Sequence, residues 1–116
     1  MNDSILTTIK KLLGITEEYT QFDTDIIMHI NSVLMTLSQL GVGPVGGFSI
    51  TDASAVWRDF LHDSRNFECV KSYIYLKVKM LFDPPSSSAV IESIERSMSE
   101  MEWRLNLAAE TAAGGD

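Results

Sequence analysis

Two histidines, one cysteine and a glycine-rich stretch are the residues of this chain whose types could carry chemistry. His29 follows Asp25 by four positions, a spacing that on a helix could orient an imidazole for acid–base work. No nucleophile or third partner lies near the pair in sequence, so the spacing reads as a surface ion pair. His62 comes at an expected helix end, where the helix dipole alone suits an imidazolium. Two isolated histidines and the lone Cys69 offer no metal-ligand spacing and no disulfide. Cys69, between Phe67 and Val70, is expected to be a buried thiol. The stretch LGVGPVGGFSITD (40–52) holds four of the seven glycines. It lacks a Lys-Ser or Lys-Thr ending and follows a helix instead of a strand, so it is no phosphate cradle. The chain reads as non-enzymatic, with no metal or cofactor.

The totals narrow the class further. At 116 residues, 45% apolar and 22% charged, the chain is expected to form one soluble domain. Its net charge is −7, and no basic block interrupts the acidity. Gripping nucleic acid needs clustered Lys and Arg, so a nucleic-acid reader is a poor fit. A helix-turn-helix reading of the segment after Thr51 fails on the same ground, because Arg58 stands against Asp52, Asp59 and Asp63. The start, MNDSILTTIKKLLG, lacks the order of a signal peptide, and no apolar run nears the length of a membrane span. A soluble protein made in a cytoplasm is expected.

The elements that must position these residues are helical. Residues 3–13 read as a short amphipathic helix with Ile5, Ile9, Leu12 and Leu13 on one side, Asp3 or Ser4 as cap and Gly14 just past its end. A second helix is expected from a cap at Asp23 to Leu40, with Ile26, Ile30, Val33, Leu37 and Leu40 as its stripe. Its opposite face, Asp25, His29, Ser32, Thr36 and Gln39, is polar. After the glycine loop, Thr51 or Asp52 would cap a third helix carrying Val56, Trp57, Phe60 and Leu61. Asp63 or Ser64 would open a fourth. That segment, FECVKSYIYLKVKMLF, shows both a period of two and a helical face through Val70, Ile74, Val78 and Leu81. Its sixteen residues without a turn signal, and the lack of a pairing partner, favour helix over strand. Asp83-Pro84-Pro85 stops it, and Ser86, Ser87 or Ser88 caps a last helix to about Leu107. That helix has a heptad-spaced stripe, Ile91, Ile94, Met98, Met101 and Leu105, beside a ladder of Glu92, Arg96, Glu100 and Arg104. The fold class is all-α: a bundle of about five helices over residues 1–107, a glycine-rich loop between the second and third, and a flexible tail over 108–116.

Four stretches in order, DIIMHINSVLMTLSQLGVGP (25–44), GFSITDASAVWRDFL (47–61), VKSYIYLKVKMLFDPPSSS (70–88) and ERSMSEMEWRLNL (95–107), together resemble the small head–tail connector proteins of tailed bacteriophages. These are also called head-completion or portal-adaptor proteins, and the sequence looks like the version carried by phages and prophages of low-GC Gram-positive bacteria. The resemblance implies a structural virion protein, assembled in the host cytoplasm and resident at the head–tail junction. It implies a homo-oligomeric ring below the portal, expected to share the portal's twelvefold symmetry, that extends the DNA channel and receives a downstream stopper or tail-completion protein. No membrane and no specific DNA contact are implied.

Within that frame the residues acquire expected roles. Carboxylates that face passing DNA prevent sticking, and Asp25, Glu92, Glu95, Glu100 and Glu102 are the channel-facing candidates. Gly41, Gly43, Pro44, Gly46, Gly47, Phe48 and Ile50 are candidate subunit or partner contacts. The loop 41–50 and the tail are expected to be mobile alone and to order on docking, against the plainer reading of a surface loop closing a helical hairpin. Trp103 lies off the heptad stripe and is either an interface residue, together with the first helix, or core. A rival reading is a small helical adaptor or regulatory protein that binds one partner through the heptad stripe.

Overall fold

The computed structural model describes residues 1–114, with side-chain surroundings through Thr111. Its helices run in the order α1 (Ile5–Leu12), α2 (Asp23–Gln39), α3 (Trp57–Phe60), α4 (Phe67–Phe82) and α5 (Ser88–Gly114). Among the described residues there is no strand, only one isolated bridge between Ser4 and Val56. The segment with two competing periods is therefore a helix, α4.

Its double period has a packing cause. α4 is the central helix, touching α1, α2 and α5. Val70, Tyr73, Ile74 and Val78 are buried outright, while Cys69, Tyr75, Leu76 and Met80 are covered in part. A helix enclosed on several sides needs apolar residues all round, which blurs the single stripe of an amphipathic one. Burial also pushes the Cys69 thiol up from its usual pKa; it is half-buried instead of fully enclosed.

The stripes of α2 (Ile26, Ile30, Val33, Leu34, Leu37) and α1 (Ile5, Leu6, Ile9) complete the core. Ser4 caps α1, its hydroxyl accepting the Thr7 N–H at 3.1 Å. Asp23 does not cap α2; its carboxylate lies 2.8 Å from the ammonium of Lys10, which is 2% exposed and also donates to the Glu17 carbonyl. Phe22, at the start of α2, packs on Phe82, at the end of α4, with ring centroids 5.4 Å apart, so these two helices are antiparallel. His29 lies against the same Phe82 ring at 6.4 Å and forms no ion pair with Asp25 among the described residues.

Three expected boundaries move. The third helix is a single turn, because the Asp52 carboxylate folds back on the Ser54 N–H at 2.8 Å in a local turn of its own. The chain then pairs with the amino-terminal segment: Ile5 N–H donates to Ala55, Trp57 N–H to Asp3 and Arg58 N–H to Met1. Asp63 likewise spends its carboxylate on the Arg65 N–H at 2.9 Å, which delays α4 to Phe67. Finally, α5 runs on to Gly114, past the expected end of the last helix at about Leu107. Alanine is the strongest helix former, and Ala108 and Ala109 are half-buried, which carries the helix on without an apolar stripe. Residues 115–116 of the expected tail lie outside the described residues.

Candidate interaction surfaces

The glycine loop is only partly open. Gly41 and Gly43 have φ of +88° and +95°, in the left-handed region that favours glycine. A Cβ on Gly41 would lie 2.9 Å from that of Ala109 on α5, and one on Gly43 would enter the ring of Phe60. The loop is thus pressed against α5 on one side and Phe60 on the other. Pro44 accepts the Gly47 N–H at 3.0 Å, closing a tight turn with Val45 fully exposed at its apex. Gly46 and Gly47 face open space.

At its far end the loop is anchored to its own subunit. Phe48 stacks on Phe60 with centroids 5.4 Å apart. The Asn31 side-chain amide donates to the Ile50 carbonyl at 2.9 Å and accepts the Ile50 N–H at 2.8 Å. Ile50 is 2% exposed, so this residue belongs to the core and is withdrawn as a partner contact. An open groove of about 920 Å³ lies beside Gly41 and Gly43, walled by Phe60, Arg104 and Leu107.

The heptad stripe of α5 faces α4: Met98 and Leu105 are buried and Ile94 and Met101 are packed against the core. A partner could not use that stripe without opening the domain, which removes the basis of the adaptor reading. Trp103 points the other way and is 66% exposed, with Leu107 one turn further along. Core burial of Trp103 is thereby excluded. On α1, by contrast, Ile5, Leu6 and Ile9 are committed to the core, and of its apolar side only Leu12, 44% exposed, is uncovered.

Sequence reasoning missed a second apolar face. Met28 and Met35, seven residues apart on the side of α2 turned from the core, are 60% and 65% exposed. They interleave with the polar residues Ser32 and Gln39, and only their i, i+7 spacing marks them.

The five acidic candidates divide. The Tyr73 hydroxyl donates to Glu102 at 2.6 Å, with Lys77 at 3.8 Å from the same carboxylate. Burial foremost, and then this carboxylate, raises the Tyr73 pKa well above its ordinary value. Glu100 pairs with Arg104 at 2.6 Å. Asp25, Glu92 and Glu95 are exposed and form no ion pair among the described residues. Those residues also include no cluster able to hold a metal ion and no helix long and apolar enough to cross a membrane.

A family model described as phage connector protein matches residues 5–112, all five helices. The chain belongs to the phage connector family. The connector's role is therefore that of a structural component joining phage head and tail, in association with other head and tail proteins of the virion. No curated protein and no solved structure matches it.

Proposed function

We propose that the connector forms a closed homo-oligomeric ring beneath the portal, extends the DNA channel, and offers its outer end to a downstream stopper or tail-completion protein. The observation that carries this reading is the presence of two dissimilar uncovered apolar faces, Met28/Met35 on α2 and Trp103/Leu107 on α5. An isologous dimer uses one patch twice, whereas a head-to-tail contact between two different patches gives a ring when the rotation between copies closes and an open filament when it does not. Seating on the portal sets the closing rotation. The resemblance supplies the expected twelvefold symmetry and the portal as neighbour.

The net charge of −7 suits a wall that passes DNA without holding it. Glu100 and Glu102 are paired within the subunit. The channel-facing role therefore falls to the exposed carboxylates without an ion pair among the described residues, Asp25 on α2 and Glu92 and Glu95 on the first half of α5. The apex Pro44-Val45-Gly46-Gly47, standing clear of the core, and the groove beside Gly41 and Gly43 are the proposed contacts for the components above and below. Assembly takes place in the host cytoplasm before the tail is joined.

Sedimentation velocity of the purified chain mixed with its portal tests the ring. The expected result is a complex holding one connector per portal subunit. A complex with a single copy or a dimer, or no complex, would refute it.

A further inference from the structure

The two uncovered faces share a spacing and an opposite charge. On α2, Asp25 precedes Ser32 by seven residues, and Met28 and Met35 flank Ser32 on the same outward side. On α5, Arg96 precedes Trp103 by seven residues, and both are exposed. Seven residues span about 10.5 Å of helix in each case. Asp25 and Arg96 are an exposed anion and an exposed cation without ion-pair partners among the described residues. Ser32 is a small residue between two long ones, a notch with flexible walls, and Trp103 is the largest exposed apolar side chain.

The helix directions are compatible. α2 is antiparallel to α4, as the Phe22–Phe82 contact shows. α4 and α5 form a hairpin across Asp83–Ser87, tied by Tyr73 and Glu102. The end of α2 accordingly meets the far half of α5, where the Asn106 amide donates to the Leu40 carbonyl at 3.4 Å. α2 and α5 therefore point the same way. Rotation about an axis running roughly along them preserves that sense, so α2 of one copy meets α5 of the next in parallel.

We propose that neighbouring connectors meet α2 to α5 in parallel register, with Trp103 of one copy over Ser32 between Met28 and Met35 of the next, and Arg96 facing Asp25. This seam rests on the ring reading and specifies its interface. The occupant of each face is a second copy of this chain. The matched spacing and opposite charge lie on the same polypeptide, and two α5 faces meeting each other would instead set Glu92 and Glu100 against their own copies. The indole acts as a buried aromatic anchor, rimmed by the ion pair and by the two methionines, which adapt to its shape. The assignment takes Asp25 out of the channel wall, and with it Glu92, which shares the Arg96–Trp103 face of α5, and leaves Glu95 there.

Charge exchange on the portal-assembled ring tests the register. Asp25→Arg and Arg96→Asp should each raise the concentration needed for half-assembly about ten-fold, and the double variant should return it close to that of the wild type. In a Cys69→Ser background, Met28→Cys with Ser99→Cys places the new thiols opposite each other. Mild oxidation should then give a ladder of trimers and higher multimers, with none from either single cysteine. A ring that forms but ignores both charge reversals and yields no ladder overturns the seam while leaving the ring standing. Dimers from Ser99→Cys alone would also overturn it. A wild-type chain that forms no closed assembly on the portal fails the ring reading itself, and the seam with it.

Discussion

Gly43→Ala measures how far the glycine loop is a packed element of the fold. At φ +95° an alanine adopts a left-handed conformation, at a cost of about 1–2 kcal/mol. Its methyl would also enter the Phe60 ring, whose Cδ1 lies 3.0 Å from the ideal Cβ position. Phe60 is buried and stacked on Phe48, so the ring can yield only by disturbing the core. Overpacking of that kind costs about 1–3 kcal/mol. Together the two effects predict a loss of about 2–5 kcal/mol, a large share of the roughly 5–15 kcal/mol stability of a typical domain. Gly46 is the control: it has open space around it and no positive φ, so Gly46→Ala should be neutral or stabilise by up to about 1 kcal/mol. Urea unfolding followed by circular dichroism reads both, and an unchanged slope would confirm that stability alone has moved. A Gly43→Ala protein as stable as Gly46→Ala would refute the packed-loop account and restore a loop that is soft throughout.

Three further outcomes follow from the same geometry. Asn31→Ala removes both hydrogen bonds to Ile50 and should cost about 2 kcal/mol in the same assay. Lys10→Met leaves Asp23 Oδ1, which is buried and has no other partner among the described residues, and should cost about 1–3 kcal/mol, the carboxylate being only partly enclosed; adding Asp23→Leu should recover most of it. Because its pKa is raised, folded Tyr73 keeps a proton that the unfolded chain releases near the ordinary value of 10.0. Its contribution is thus constant below about pH 10 and declines as the pH rises beyond it, and a pH series of urea melts should show this decline diminished in Tyr73→Phe.

What was legible in the sequence follows from which interactions are local. The stripes of α2 and α5 could be read because each helix meets the core along one side, and the Ser4 cap and the stop at Pro84-Pro85 depend only on near neighbours. Residues 51–56 misled because Asp52 has two uses at short range, capping or turning. The contact that favours the turn comes from Met1, Asp3 and Ile5, some fifty positions away. Asp23 read as the cap of the second helix because its partner Lys10 is brought to it only by the packing of α1 on α2. The extension of α5 was hidden because alanine continues a helix by propensity, leaving no periodic trace.

Among the site residues, helical phase set Trp103 off the heptad stripe but left it open between interface and core, and its exposure shows only in the packed bundle. Glu102 could not be separated from Glu92 and Glu95 in that way, since its partner Tyr73 sits on another helix. Ile50 looked like a free apolar residue because its clamp, Asn31, lies nineteen residues back. The faces of α2 and α5 that define the proposed seam become visible only once α4 is known to cover the others.

An electron cryomicroscopy reconstruction of the connector bound to its portal addresses the central claim most directly. The account predicts a closed ring, one connector per portal subunit, with Trp103 buried against α2 of the neighbouring copy and Glu95 turned to the lumen. An isologous dimer, a single bound copy, or a ring with Trp103 in solvent would contradict it.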